Sequence, residues 1–148
     1  MSLVEVAPDV FRFADTCNAY VLRDGDAAVL VDFGDGGVVD HLPALGVRRV
    51  EWVLFTHHHR EQLQGWPRAA PPGAKAAGPL AERELFENPQ KFRPAAVTLG
   101  DPFTVHGASY VRPPARPVTL DRGFAAMDVF AWRGKEIWCV ATPGDSPG

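Results

Sequence analysis

The sequence has few cysteines and no long apolar run. Its 148 residues include two cysteines, Cys17 and Cys139, which lie far apart in the chain. A disulfide framework is therefore not expected, and a reducing cytoplasm is the favoured location. No apolar stretch approaches the roughly 20 residues that a helix needs to cross a bilayer. The stretch from Met1 to Asp15 also lacks the basic and apolar segments of a signal peptide. We therefore expect no membrane partner.

Concentrated positive charge is also missing. The chain has 15 lysines and arginines against 18 acids, a formal charge of −3, and its basic residues form no block or stripe. Because nucleic-acid binding depends on a concentrated basic surface, we expect no nucleic-acid partner. Hydrophobic residues make up 46% of the chain, which is enough for one buried core. Residues 1–148 are predicted to form a single domain.

The first third of the sequence has the pattern of a β-meander that leads into a strand, a helix and another strand. Asp24-Gly25 lies between two β-prone runs and is a favoured hairpin turn. The run after it is apolar at nearly every position, which predicts a strand covered on both faces. A helix predicted at Val38 to Leu45 precedes the next strand, so part of the sheet is expected to be parallel. The predicted strands are 3–6, 10–14, 18–23, 27–33 and 50–55.

The later sequence is rich in proline and less regular. Prolines between Trp66 and Gly73 are expected to end any helix that begins near Glu61. A short helix is predicted at Pro79 to Glu87, with proline in its first turn. Arg112 to Pro117 is predicted to be loop or extended edge. The predicted elements after this loop are a strand at 124–132 and a strand at 136–141, which form a hairpin.

Three consecutive histidines follow the predicted strand 50–55. The segment from Thr56 to Gly65 reads T-H-H-H-R-E-Q-L-Q-G. Side chains two residues apart share one side of an extended segment but diverge by about 200° on a helix, so an extended segment would bring His57 and His59 together. Imidazole binds zinc or iron, and Glu61 adds a carboxylate that can bind or act as a base. The alternative is a solvated histidine-rich loop.

These residues resemble the metallo-β-lactamase superfamily of metal-dependent hydrolases. The family motif T-H-x-H-x-D-H, with a glycine three residues on, is similar to residues 56–65. An early D-x-G is matched by Asp32-Phe33-Gly34, and a later T-P-G-H-[ST]-x-G by residues 142–148. The three motifs occur in the family's order, each after a predicted strand. The resemblance implies an α/β fold of the αββα sandwich type, a mixed sheet with helices on its outer face.

The resemblance also implies a set of metal ligands, with departures from the family pattern. His57 and His59 match two ligands of the first metal, and Asp145 stands where the family has the third, a histidine. At the second metal site Glu61 replaces aspartate, and Gln62 replaces histidine with a poor ligand. We therefore predict one zinc ion rather than two, held by His57, His59 and Asp145, with Glu61 as a further candidate ligand. Iron, or no metal at all, are the alternatives.

The implied function is a hydrolase with a mononuclear or impaired site. A metal-bound hydroxide would attack an ester, thioester, amide or phosphoester, with Glu61 as the catalytic residue that orients water or accepts its proton. The alternative is a non-catalytic family member that serves as a binding or assembly module. The motifs of residues 1–148 cover the earlier part of the family domain, so we expect either a homo-oligomer or a missing second half.

Several other features have competing interpretations. Gly144 to Gly148 also fit the G-x-S-x-G nucleophile elbow, but Pro147 follows the serine and lacks the N–H that an oxyanion hole needs. Asp32 is expected either to orient a metal ligand or to cap a turn. The aromatic residues Trp52, Trp132 and Trp138 are predicted to belong to the core.

Overall fold

The computed structural model describes residues 3–92, 112–144 and 146–147. In this part of the chain a seven-stranded sheet runs in chain order from β1 to β7, and a separate hairpin is formed by β8 and β9. The strands are β1 (Leu3–Ala7), β2 (Val10–Ala14), β3 (Asn18–Asp24), β4 (Ala27–Val31), β5 (Arg49–Leu54), β6 (Lys75–Pro79), β7 (Arg122–Phe124), β8 (Asp128–Trp132) and β9 (Lys135–Cys139). The helices are α1 (Arg60–Leu63), α2 (Trp66–Ala69), α3 (Arg83–Glu87) and the 3₁₀ helices Gly37–Leu45, Leu80–Glu82 and Pro89–Lys91.

The main sheet is mixed, as predicted. Strands β1 to β4 form an antiparallel meander, and the predicted hairpin turn places Gly25 at φ 59° between β3 and β4. Strands β4, β5, β6 and β7 are parallel to one another. The carboxyl ends of these four strands therefore share one edge of the sheet, where the loops after β4, β5 and β6 meet.

Strand β4 is buried on both faces, which confirms the prediction from its continuous apolar run. Ala28 and Leu30 belong to the larger core cluster, whereas Ala27 and Val29 belong to a second cluster on the opposite face. The second cluster includes Trp132, because the β8–β9 hairpin packs against that face. The hairpin is held further by Glu51 on β5, whose carboxylate accepts a hydrogen bond of 2.6 Å from Nε1 of Trp132.

Several elements differ from the sequence prediction. Strand β6 was not predicted, because its sequence K-A-A-G-P has no β-branched or aromatic residue. The predicted helix at 79–87 begins at Leu80 as a 3₁₀ turn and continues as α3. The helix that begins near Glu61 does not extend past 66–73, as predicted, because α1 ends at Leu63. The short helix α2 was not predicted; it ends at Ala69 and carries Pro67 in its first turn, where the missing N–H costs nothing.

The carboxyl-terminal strands are shorter than predicted. The expected strand 124–132 is interrupted by a turn in which Met127 adopts φ 66°, and this turn separates β7 from β8. The hairpin turn at Arg133 and Gly134 is confirmed, with φ 49° and 76°. The prediction that Trp138 is a core residue was wrong, because 56% of its surface is exposed. Among the described residues, no helix combines the length and apolar character needed to span a bilayer.

Candidate metal site

The histidine segment follows β5 at the shared carboxyl edge of the sheet. Phe55, the first residue after β5, donates a backbone hydrogen bond to the carbonyl of Ala77 in β6. His59, the N-cap of α1, is extended at φ −63° and ψ 144°. The rings of His57 and His59 lie with centroids 4.6 Å apart and planes at 78°. The structure therefore brings together the two histidines that their spacing predicted to share one side.

Asp32 and Thr56 determine how the His57 ring is held. The Asp32 carboxylate accepts 2.8 Å hydrogen bonds from the Thr56 backbone N–H and from its hydroxyl. The same hydroxyl oxygen lies 2.9 Å from Nδ1 of His57. When Asp32 is ionised it accepts the single hydroxyl proton, and the hydroxyl oxygen then accepts from Nδ1–H of His57. This assigns the proton to Nδ1 and leaves the lone pair on Nε2, which is buried.

Asp32 is itself in an unusual environment. Its backbone adopts the left-handed conformation at φ 57°, and its side chain is 6% exposed. Burial raises the pKa of Asp32 to about 7, although the hydrogen bonds from Thr56 oppose the shift. A strained, buried carboxyl at the end of β4 costs free energy. The contact with Thr56 supports the interpretation that Asp32 orients a metal ligand through that threonine.

The loop after β4 and the segment after β5 are tightly joined. The backbone carbonyl of Gln62 accepts hydrogen bonds from the N–H groups of Phe33, at 2.8 Å, and of Gly34, at 3.1 Å. Gly65 donates to the carbonyl of Gly34 at 2.9 Å. A Cβ added to Gly65 would lie 2.2 Å from the carbonyl carbon and oxygen of Asp35. Only glycine fits this contact, which explains the glycine three residues after Gln62.

His58 points to a different set of partners. Its side chain is 1% exposed, and its Nδ1 donates to Oε1 of Glu82, a residue with no exposed surface. The His58 backbone N–H donates to the same oxygen at 3.1 Å. The other carboxylate oxygen of Glu82 accepts from Oγ of Ser146 at 2.9 Å. Sequence reasoning did not identify Glu82, which lies 24 residues from His58 and carries no motif signal.

The remaining predicted ligands are not assembled with the two histidines in the described residues. Asp145 lies outside the described residues. Within residues 3–92, 112–144 and 146–147, no three His, Cys, Asp or Glu side chains are grouped closely enough to hold one metal ion. Glu61 is half-buried in the first turn of α1, where its carbonyl accepts a hydrogen bond from Thr16. Its predicted roles as ligand and base stay predictions.

Three further features complete the surroundings. Burial and the charge of Asp32 raise the pKa of Cys17 to about 12, so this thiol is protonated at neutral pH in the absence of metal. The predicted proline-rich loop at 112–117 borders the site, since Arg60 Nε donates to the carbonyl of Pro113 at 3.0 Å. On the face that carries the hairpin, an apolar cavity of about 590 Å³ reaches Thr56 and is lined by Leu80 and Trp138.

The two imidazoles fit the first part of a metal-binding set. Both rings are held at the end of a strand, and the proton of His57 is placed on the nitrogen that contacts Thr56. Neutral imidazole with its proton fixed by such a partner is the usual form of a histidine ligand to zinc. The structure thus places two candidate ligands side by side, and the third ligand, Asp145, stays a prediction.

The fold and this arrangement define a mixed-sheet α/β domain with its candidate site at the carboxyl ends of parallel strands. Residues 12–130 match the family model of the metallo-beta-lactamase superfamily. The chain belongs to that superfamily.

Comparison with known proteins agrees with this assignment. The chain is 40% identical over 73 residues to a hydroxyacylglutathione hydrolase of Stenotrophomonas maltophilia, which covers 48% of this chain and 28% of that protein. A metallo-beta-lactamase of Cronobacter sakazakii superposes with a TM-score of 0.78 at 21% identity, over 100% of this chain and 57% of that one. A beta-lactamase from Chitinophaga pinensis superposes with a TM-score of 0.75 at 18% identity, over 100% and 54%. The chain thus spans just over half the length of these structural neighbours.

Proposed function

We propose that the chain carries the first ligands of a metal-dependent hydrolase that acts on an acyl or phosphoryl bond of a small molecule in the cytoplasm. The observation that supports this most directly is the pairing of His57 and His59 at 4.6 Å, together with the hydrogen bond that holds the proton of His57 on Nδ1. A histidine pair in a solvated loop would not need a threonine and a buried carboxylate to fix one ring.

The proposed site holds one zinc ion, or iron, between His57, His59 and Asp145. A bound ion of this kind supplies Lewis acidity, which lowers the pKa of water and polarises a carbonyl or phosphoryl oxygen. Asp32 and Thr56 keep the His57 ring oriented, and Glu61 accepts a proton from water during hydrolysis. Because Asp145 is a carboxylate in place of a neutral histidine, we expect a weaker Lewis acid than the family's usual site provides.

A thioester is the first substrate class to test. The relative from Stenotrophomonas maltophilia is named for hydrolysis of hydroxyacylglutathione, in which the acyl group is bonded to sulfur, and it is 40% identical over 73 residues. Esters, amides and phosphoesters form the comparison panel. The proposal for this chain is hydrolysis of an S-acyl thiol to a carboxylic acid and a free thiol.

Metal analysis separates this proposal from a non-catalytic binding or assembly module. Protein purified without chelator would be compared with the double variant His57→Ala, His59→Ala, using His41→Ala as a control for loss of a histidine elsewhere. The His41 ring packs against Phe13, with centroids 4.8 Å apart, and is not one of the paired rings. We expect about one metal ion per chain in the wild type and in His41→Ala, and none in the double variant. Equal, negligible metal in all three proteins would support the binding module instead.

Hydrolysis of S-acyl thiols by the same samples gives the second measurement. We expect release of free thiol by the wild type and by His41→Ala, with loss in the double variant and after chelation. Metal bound stoichiometrically without hydrolysis of any substrate class in the panel would contradict the catalytic part of the proposal.

A further inference from the structure

A buried carboxylate connects two of the motif loops. Glu82 lies in the 3₁₀ helix Leu80–Glu82 directly after β6 and has no exposed surface. It accepts from the backbone and the ring of His58, between the two paired histidines, and from Oγ of Ser146, next in sequence to Asp145. One side chain therefore contacts both segments that carry the predicted metal ligands.

These hydrogen bonds explain how a carboxylate can occupy this position. Burial of an isolated charge is costly unless donors compensate for the lost water. Burial raises the pKa of Glu82, but hydrogen bonds from His58 and Ser146 outweigh that effect and hold the pKa below its usual value. Removing the donors would leave a buried charge, and removing the carboxylate would leave buried donors without this acceptor.

The bonds to His58 restrain the histidine segment at two points. The backbone N–H of His58 fixes the chain between His57 and His59, while its Nδ1 fixes the ring. The same ring packs against Phe86 and Phe92, with centroids 6.5 Å and 5.3 Å away. A segment fixed through both its backbone and its middle side chain has little freedom to rotate, so the flanking histidines keep their relative positions.

We propose that Glu82 is a positioning residue that holds the His57–His59 segment and the loop of residues 142–144 and 146–147 against each other. Its effect on metal binding rests on the proposed function, whereas its effect on the two segments does not. Glu82 acts through His58 and Ser146 and does not itself bind metal or substrate.

The test uses the full chain with four substitutions. Glu82→Ala removes the acceptor, Glu82→Gln keeps one oxygen for His58 and offers an N–H to Ser146, and Ser146→Ala removes only the contact to the later loop. Glu84→Gln is the matched control, since Glu84 is exposed on α3 and pairs with Lys91. Thermal unfolding identifies the temperature range in which every variant is folded, and Ser146→Ala still tests the link if Glu82→Ala does not fold.

The first readout requires no metal. Long-range ¹H–¹⁵N spectra report the imidazole nitrogens, and amide spectra report residues 142–147. We expect Glu82→Ala to change the resonances of His57 and His59 as well as His58, and both Glu82→Ala and Ser146→Ala to shift the loop amides. Glu82→Gln should retain most of the wild-type pattern. Unchanged His57, His59 and loop resonances in Glu82→Ala and Ser146→Ala, as in Glu84→Gln, would overturn the proposal.

The second readout is zinc affinity, measured by competition with a chromophoric chelator. Loss of a residue that orients a ligand typically weakens metal binding 10–100-fold, and we expect a loss of about this size for Glu82→Ala, about tenfold for Ser146→Ala and little for Glu84→Gln. Wild-type affinity in folded Glu82→Ala would assign Glu82 to fold stability alone and overturn the proposal. If the wild type binds no zinc, the proposed function fails, and the spectra still decide the role of Glu82.

Discussion

The hydroxyl oxygen of Thr56 lies 2.9 Å from Nδ1 of His57, and this contact decides which imidazole nitrogen carries the proton. When Asp32 is ionised, Thr56 donates its own proton to that carboxylate at 2.8 Å, so its oxygen accepts from the ring. In this chain of hydrogen bonds His57 Nδ1–H donates to Thr56 and Thr56 donates to the Asp32 carboxylate, which leaves the lone pair of His57 on Nε2.

Asp32→Asn should reverse this polarity. The asparagine oxygen can still accept from the Thr56 N–H, but its amide group would donate to the Thr56 hydroxyl, which would then donate to Nδ1 of His57. The ring would carry its proton on Nε2 and could not bind metal through that atom. We expect zinc affinity to fall about 10–100-fold, measured by competition with a chelator.

Asparagine is a suitable replacement at this position because it tolerates the left-handed backbone that Asp32 adopts at φ 57°. Asp40→Asn, at an exposed residue in the 3₁₀ helix Gly37–Leu45, is the control. Zinc affinity in Asp32→Asn equal to that of the control would show that Asp32 does not set the protonation of His57.

The raised pKa of Asp32 predicts a specific dependence of stability on pH. The carboxyl has an ordinary value of 3.8 and a folded value of about 7. Between these values the folded state binds the proton and the unfolded state does not, so the free energy of unfolding decreases as pH rises from 4 to 7. At about 1.4 kcal/mol per pKa unit, this group contributes a decrease of up to about 4 kcal/mol.

Urea unfolding of metal-free protein at several pH values measures this dependence. Asp32→Asn should remove most of the decrease between pH 4 and 7, whereas Asp40→Asn should retain it. An identical pH profile in the wild type and Asp32→Asn would mean that the Asp32 carboxyl is not the group responsible.

Glu51 should have the opposite pH dependence. Hydrogen bonds from Arg133 and Trp132 lower the pKa of Glu51 from 4.5 to about 2. Its stabilising contribution is present above pH 4.5 and is lost as pH falls towards 2. Glu51→Gln should lower the free energy of unfolding by about 1 kcal/mol at neutral pH, the usual net value of such hydrogen bonds, with a smaller difference near pH 2.

Glu136→Gln, at an exposed position on β9, is the matched control for the loss of a carboxylate from the hairpin region. Urea midpoints at pH 7 and pH 2.5 would measure both effects. A destabilisation by Glu51→Gln that is as large at pH 2.5 as at pH 7 would argue against a role for the ionised carboxylate.

Gly65→Ala should be among the most damaging small substitutions in the described chain. The new methyl group would lie 2.2 Å from the carbonyl of Asp35, so the backbone must move. We expect a loss of about 3 kcal/mol or more, at the upper end for overpacking. Gly46→Ala is the control, because it has open space and bears only the cost of φ 73°, about 1–2 kcal/mol. Equal losses in thermal unfolding would contradict the close contact.

The sequence predicted those parts of the fold in which local pattern and tertiary environment agree. The apolar run of β4 matched its burial between two core clusters, and the Asp24-Gly25 turn matched the hairpin. Strand β6 was not predictable, because Ala76 and Ala77 are buried by their position between two parallel strands and not by any β preference of their own. Trp138 shows the reverse error, since its strand pattern did not reveal which face is exposed.

The candidate site was predictable where its residues are close in sequence. The spacing of His57 and His59 indicated a shared side, and the structure confirms that they lie together. The role of Glu82 was not predictable, because its contacts with His58 and Ser146 arise from the meeting of separate loops at the sheet edge. The roles of Asp145 and Glu61 stay predictions.

The close contact between the backbones of Gly65 and Asp35 affects how the results of a genetic screen of this protein are interpreted. The backbone of residues 33–36 and that of residues 62–65 share hydrogen bonds and a contact with no spare volume. A bulky or rigid replacement in residues 33–36 would displace residues 62–65, even though no candidate metal ligand is itself substituted. A screen for activity would score such variants as if a metal ligand had been lost. Only a measurement of their folding would show that the cause is a shift of the backbone.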